Sequence, residues 1–500
     1  MEETITKPEI GLDPADWNDI KTLGYQIIDD MVDYLKNIGD RPAWTPIPQQ
    51  VKEEFKKPLP QTGTDIFTIY NEFKQNILPY PAGNIHPKFF AWVQGTGTPM
   101  GAFADLLAGV MNSNATIGDQ SALYVDQQVI NWCKELMNYP ADGSGILLSG
   151  GSIANITGLI VARNTMIANA KNGGVYVADG KLTAYCSSET HNCLGKAAEV
   201  IGIGSDQLRK IPVDSRFQID LEALKNKIRE DKANGFIPFC IIGNAGTVNS
   251  GAIDPLEDLL QISREENTWF HIDGAFGALA KLSPAYQQQL KAIEQADSVA
   301  FDLHKWMYMQ YEVGCVLFKN AAAHRAAFAT AVNYLTAHER GLAGGPETIS
   351  NYGMELSRGF KALKVWMSLK EHGLEKYSEM ITQNISQAFY LGEQVGQHPQ
   401  LELMAEVTMN VVCFRFNPGG LDVEQLNILN KELLMRMHEA GIAAPSYTLL
   451  NGNYVIRAAI TNHRTRTVHL DEMVAGTIKI GEALMKEFDA KLFKFDFLVQ

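Results

Sequence analysis

Between residues 86 and 320, short apolar runs alternate with amphipathic stretches, and this alternation constrains the fold of the 500-residue chain more than any other feature. Repeated units of strand and helix bury their apolar faces as a mainly parallel sheet covered by helices. The runs predict strands over 145–148, 182–186, 236–242, 268–272, 298–301 and 314–318. Helical periodicity lies between them at 153–170, 221–233 and 255–266. The predicted class is therefore α/β.

The flanks differ. Residues 13–37 open with Asp13-Pro14 and then space Ile20, Leu23, Ile27, Met31 and Leu35 three or four apart, the pattern of an amphipathic helix. Residues 38–64 are rich in proline and charge and read as an extended connection. Such an arm cannot form a core alone and is expected to pack on another body, a second subunit being one choice. A long helix is expected over 353–396. Strands at 411–416 and 454–460, with helices at 423–440 and 471–487, suggest a smaller α+β domain. The expected division is an arm (1–85), a large domain (86–375) and a small domain (376–500).

Composition narrows the partners. The chain has 57 Asp and Glu against 43 Lys and Arg, a formal charge of −14, which argues against electrostatic binding of nucleic acid or of an anionic membrane. No apolar run reaches the roughly 18–20 residues of a membrane span, and the start has neither the basic end nor the apolar segment of a signal peptide. A cytoplasmic location is expected. The six cysteines, Cys133, Cys186, Cys193, Cys240, Cys315 and Cys413, show no C-x-x-C and read as buried thiols, with no metal site.

In open parallel sheets ligands bind beyond the carboxyl ends of strands, and here those ends are unusually polar. Ser149-Gly150-Gly151-Ser152 follows the run at 145–148 and leads into a helix, so unpaired N–H groups at a positive helix end offer a phosphate site. A bland turn reads equally well. The segment lacks G-x-x-x-x-G-K-[ST] and G-x-G-x-x-G, which disfavours nucleoside triphosphates and dinucleotides. Asp273 follows 268–272 among the small residues Gly274, Ala275 and Gly277, so something flat has room against Ala275; the plainer reading is a capping aspartate. Lys305 follows 298–301 in Asp302-Leu303-His304-Lys305-Trp306. An amine there is expected to be desolvated, with a lowered pKa and nucleophilic character toward a carbonyl, unless its stem packs and its ammonium snorkels out. His191 ends Ser187-Ser188-Glu189-Thr190-His191, and Asn244-Ala245-Gly246-Thr247 follows 236–242. Together these parts match pyridoxal 5′-phosphate, which needs a lysine for a Schiff base, an acid at its pyridine nitrogen and a phosphate cradle. Lys305, Asp273 and 149–152 supply them, with His191 covering one ring face and Ala275 touching the other.

At HIDGAFG (271–277), DLHKW (302–306) and SGGSIAN (149–155) the chain resembles the group II pyridoxal-phosphate-dependent amino acid decarboxylases, above all their aromatic L-amino acid members. The likeness runs over nearly the whole chain and includes HPKFFAW (86–92), SSETH (187–191), AGT (245–247) leading to Asp254-Pro255, and RGFKALKVW (358–366). It implies the aspartate aminotransferase type of fold and a homodimer with exchanged N-terminal arms and its active site at the interface. It also implies that Lys305 forms the internal aldimine, Asp273 pairs the pyridine nitrogen and His191 stacks on the ring. Ser152, Gly151 and His304 would bind phosphate, with Thr247 and Asp302 also at the cofactor. Residues 329–345 align with a mobile loop whose Tyr334 protonates the substrate carbon. Asp302 stands where relatives usually carry Asn, and Leu303 replaces the common Pro. Residues 114–119 lack a bulky aromatic found in some relatives, which implies a roomier pocket. Trp92, Thr96 and Thr98 are expected at the substrate side chain.

The expected reaction is decarboxylation of an L-amino acid to its amine. An aromatic side chain is preferred because the pocket segments carry little positive charge and Tyr80, Phe89, Phe90 and Trp92 lie close together in sequence. The alternatives are an acidic substrate, which a single well-placed arginine would favour, and oxidative deamination to an aldehyde, which relatives carry out with Phe at the loop position.

Overall fold

The computed structural model describes residues 10–330 and 338–496, with side chains described as far as residue 487. Its twelve strands are β1 (Phe89–Phe90), β2 (Ser144–Leu148), β3 (Leu182–Ser187), β4 (Leu208–Ile211), β5 (Ile237–Asn244), β6 (Trp269–Asp273), β7 (Ser298–Asp302), β8 (Gly314–Phe318), β9 (Leu401–Leu403), β10 (Val411–Phe416), β11 (Ala444–Leu450) and β12 (Asn453–Ala459). Seven form one sheet in the order β2-β8-β7-β6-β5-β3-β4. Pairings from β4 through β7 are parallel, whereas β8 runs antiparallel to both β7 and β2. The second sheet has the order β1-β11-β12-β10-β9.

β3, β6, β7 and β8 are buried along their whole length, as expected of strands covered on both faces. Period-two alternation divides the core. Ile241, Phe270 and Ile272 point into one apolar layer, while Cys240, Ile242 and Trp269 point into the other. Helix Gly151–Met166 supplies Ala154, Leu159, Val161 and Ala162 to the second layer, and helix Leu256–Glu265 supplies Leu256, Leu259 and Leu260 to the first. All six cysteines are buried and free. No helix among the described residues is long and apolar enough to cross a membrane.

Three expectations need correction. The first helix starts at Trp17 rather than at Asp13-Pro14, because the Asp16 carboxylate accepts the Asn18 N–H at 2.8 Å and caps the helix there. The helix expected over 353–396 runs Ala362–Gln397 and breaks at Gly373, where φ is +69°, a conformation open to glycine at little cost. Helices Pro99–Met111 and Ser121–Leu136 were not anticipated; the first turns Phe103, Leu106, Leu107 and Val110 outward, so its apolar face does not mark a core.

Candidate active site

The carboxyl ends of the parallel strands open into a cavity of about 420 Å³. Each expected strand end contributes: Gly151 and Ser152 after β2, His191 after β3, Asn244 and Gly246 at β5, Asp273 and Ala275 at β6, and His304 and Lys305 after β7. Trp92, Val93 and Gln94 close one side, and Ser446, Tyr447 and Arg457 reach in from the smaller sheet.

Asp273 is the last residue of β6, and its Oδ1 accepts the Ala275 N–H at 3.2 Å. Burial pushes its carboxyl up, while the charge of Lys305 and a hydrogen bond from Asn155 oppose that rise. Lys305 sits on the short helix Leu303–Trp306. Its Nζ lies 2.8 Å from Oδ2 of Asp302, which closes β7. Burial works against the ammonium, but Asp302 and then Asp273 outweigh it, so the Lys305 pKa is raised. The expectation of a lowered pKa is thereby corrected: the desolvation is present, but a carboxylate one turn away on the same segment reverses its outcome. Both Asp302 oxygens are buried, and apart from the Lys305 ammonium no described donor reaches them. The backbone wraps the carboxylate closely: a Cβ at Gly151 would fall 2.8 Å from Oδ2 and one at Gly314 would fall 2.6 Å from Oδ1.

His191 accepts the Cys193 N–H on Nδ1 at 3.2 Å, so its neutral ring carries the proton on Nε2. Burial lowers its pKa against the pull of Asp273. His304 is buried, its pKa also lowered by burial, and its ring lies 4.4 Å from that of Tyr311, centroid to centroid.

Other expected residues lie elsewhere. Thr247 does not line the cavity; its hydroxyl pairs with Ser250 Oγ at 3.0 Å. Thr96 and Thr98 line smaller cavities beside the main one. Thr98 is committed to capping helix Pro99–Met111, accepting the Gly101 N–H at 3.2 Å. Gly95 approaches the His304 and Lys305 carbonyls so tightly that a Cβ would come within 1.9 Å, which takes the following residues out of the main cavity. Tyr334 lies outside the described residues.

Sequence reasoning missed Arg457. It is buried on β12, with Nε donating to the Asn249 carbonyl at 3.0 Å and Nη1 to the Trp92 carbonyl at 3.0 Å. Its Nη2 is buried and has no partner, no described carboxylate pairs with it, and burial lowers its pKa. A charged residue inside the apolar run of 454–460 was the available signal, since buried guanidinium groups are rare without an anion.

An amine, a buried carboxylate, a helix start without a Cβ and a planar imidazole thus share one cavity with an unpaired guanidinium N–H. This donor set fits a flat, phosphorylated pyridine aldehyde, and with the parallel α/β sheet it defines the class: an enzyme that works through pyridoxal phosphate. The chain belongs to the pyridoxal-dependent decarboxylases, which are carboxy-lyases, and the conserved domain of that family matches residues 48–417. It is 33% identical to an aromatic-L-amino-acid decarboxylase of Bacillus atrophaeus over 94% of this chain and 96% of the other. It is 26% identical to tryptophan decarboxylase 2 of Oryza sativa subsp. japonica, over 92% and 94% of the two chains. It is also 27% identical to a phenylacetaldehyde synthase of Arabidopsis thaliana, over 92% and 95%. The crystal structure of Oryza sativa TDC with PLP and tryptamine shares the fold at a TM-score of 0.86 and 22% identity, over 95% of this chain and all of that one.

Proposed function

We propose that the protein decarboxylates an aromatic L-amino acid, releasing the amine and CO2. The observation that carries this reading is the single unpaired cation in a cavity walled by Trp92, Phe276, Tyr311 and Tyr447. Among the described residues, Lys305 and Arg457 are the only lysine and arginine lining it, and Lys305 is already paired with Asp302. One carboxylate on a flat apolar side chain matches that inventory. An acidic substrate, with two carboxylates, would need a second free cation.

In this reading Lys305 would hold the cofactor covalently, Gly151, Ser152 and His304 would hold its phosphate, and Asp273, His191 and Ala275 would hold its ring. When bound, the cofactor supplies an electron sink for the pair left on Cα as the bond to the carboxylate breaks. Arg457 fixes the direction of that carboxylate, and so selects which bond at Cα breaks. Tyr334 would deliver the proton that Cα takes up, with His191 lining the same cavity. The test is mass spectrometry of products after the cofactor-saturated protein meets an equimolar pool of L-amino acids under air. Tryptamine, tyramine or phenethylamine is expected. GABA or β-alanine would transfer the protein to acidic substrates, and aromatic aldehydes with ammonia would make it an aldehyde synthase; either result sinks the proposal.

We propose further that two copies form the working enzyme. Helix Trp17–Lys36 buries no residue and exposes Ile20, Ile27, Ile28 and Val32, and helix Pro99–Met111 exposes a second apolar face. Apolar faces of this kind seek a partner surface. Sedimentation equilibrium is expected to return twice the 55.3 kDa chain mass; a monomer at micromolar concentration overturns the assignment.

A further inference from the structure

Trp269, His271 and Asp273 occupy alternate positions of β6, so their side chains leave the same face of the sheet. Helix Gly151–Met166 packs over that face. Its Gly158 lies so close that a Cβ there would come 2.6 Å from His271 Cε1, and its Asn155 stands one turn nearer the cavity. Register places Ser298 of β7 directly beside His271. The resulting contacts run from Trp269 to Asn155. Trp269 Nε1 donates to Ser298 Oγ at 2.8 Å. Ser298 Oγ lies 2.7 Å from His271 Nδ1, and His271 Nε2 lies 2.8 Å from Asn155 Oδ1. Asn155 sends its Nδ2 toward Cys193 Sγ at 3.6 Å and lines the cavity with Asp273, whose carboxyl it helps hold down against the rise that burial causes.

Elementary donor and acceptor rules leave one order of protons. The indole N–H can only donate, and an ionised carboxylate can only accept. Asn155 turns its oxygen to His271 and its amide nitrogen toward Cys193 and the cavity that Asp273 lines, so His271 donates from Nε2. Burial drives the His271 pKa down to about 3, so the ring holds that one proton and Nδ1 accepts from the Ser298 hydroxyl. Every dipole in the row then points its positive end toward Asp273. Aligned hydrogen bonds of this kind polarise one another in a low-dielectric interior.

We infer that Trp269, Ser298, His271 and Asn155 form a positioning relay that holds Asp273 ionised and in one orientation. The inference rests on the reading that Asp273 meets the cofactor's ring nitrogen. His271 touches neither cofactor nor substrate in this arrangement; it acts through Asn155.

The test uses the full-length protein and two readouts apart from turnover. One is the dissociation constant of pyridoxal phosphate, and the other is the pH midpoint of the bound cofactor's absorption band. Replacing His271→Phe, which removes the donor to Asn155, is expected to weaken cofactor binding about tenfold and to move the midpoint by about one pH unit. His271→Gln puts an amide donor near the Nε2 position and is expected to stay within about threefold of the parent. Equal loss in both variants marks a packing role and overturns the inference. So does a His271→Phe protein that matches the parent while Asp273→Asn shifts the band. If Asp273→Asn itself leaves the band unmoved, the underlying reading of Asp273 fails instead. Should His271→Phe not fold, Ser298→Ala keeps the ring and frees its tautomer; a midpoint shift supports the relay and an unchanged midpoint overturns it.

Discussion

Replacing Lys305 with arginine is expected to lower turnover by roughly 10⁴-fold or more, over 5 kcal/mol of barrier, while the fold survives. Lys305 carries the one amine among the described lining residues able to form a Schiff base with an aldehyde, and a guanidinium stays protonated. Arginine is the informative choice because Asp302 is buried beside Lys305, and no other described donor reaches its oxygens. Lys305→Ala would remove its counter-charge. Breaking a buried ion pair from one side costs about 3–5 kcal/mol, so inactivity of the alanine protein does not separate lost chemistry from lost fold. Lys305→Arg keeps the positive charge against Asp302. Melting near the parent temperature together with loss of the cofactor's absorption at the lysine-bound band is the expected pair of results. Turnover within tenfold of the parent, with cofactor present, removes Lys305 from the mechanism.

The strand-end residues were legible in the sequence because each interrupts an apolar run at a fixed place. Asp273 ends WFHID and Asp302 ends SVAFD, and parallel strands put such ends on one edge of a sheet. The direction of the loop after Trp92 was not legible. Nothing in Gln94-Gly95-Thr96-Gly97-Thr98 shows that Gly95 will lie against the Lys305 carbonyl and take both threonines out of the main cavity. The sign of the Lys305 shift escaped for a different reason. Apolar and aromatic neighbours argue for a lowered pKa, and only the fold shows that the carboxylate three residues earlier turns back onto the amine. Asn155 and His271 carry no sequence signal of a role, since their function depends on a helix crossing β6, which only the three-dimensional structure supplies. The helix Pro99–Met111 was missed because an apolar stripe that faces outward is indistinguishable in sequence from one that faces a core.

Arg457 is the residue whose replacement separates a substrate role from a structural one. Arg457→Met is expected to reduce kcat/KM for an aromatic amino acid by about 100-fold, close to 2.7 kcal/mol, mostly through KM. The guanidinium has two jobs in the structure. Nε and Nη1 hold the Asn249 and Trp92 carbonyls, while the buried Nη2 has no partner. Losing the first job leaves carbonyls unpaired and destabilises the wall of the cavity by about 1–3 kcal/mol. Losing the second removes the one unpaired cation that the described residues offer the substrate carboxylate. The amine product tells them apart, since it has the same side chain but no carboxylate. If Nη2 binds that carboxylate, the inhibition constant of the amine stays within about threefold of the parent while substrate affinity collapses. Parallel losses for both would assign Arg457 to the scaffold and remove the argument for a substrate with one carboxylate. Arg457→Lys refines the result, because an ammonium keeps the charge but gives up the planar fork. A partial recovery of KM in that variant, with Trp92 fluorescence still altered, would show that the charge serves the substrate and the fork serves the wall.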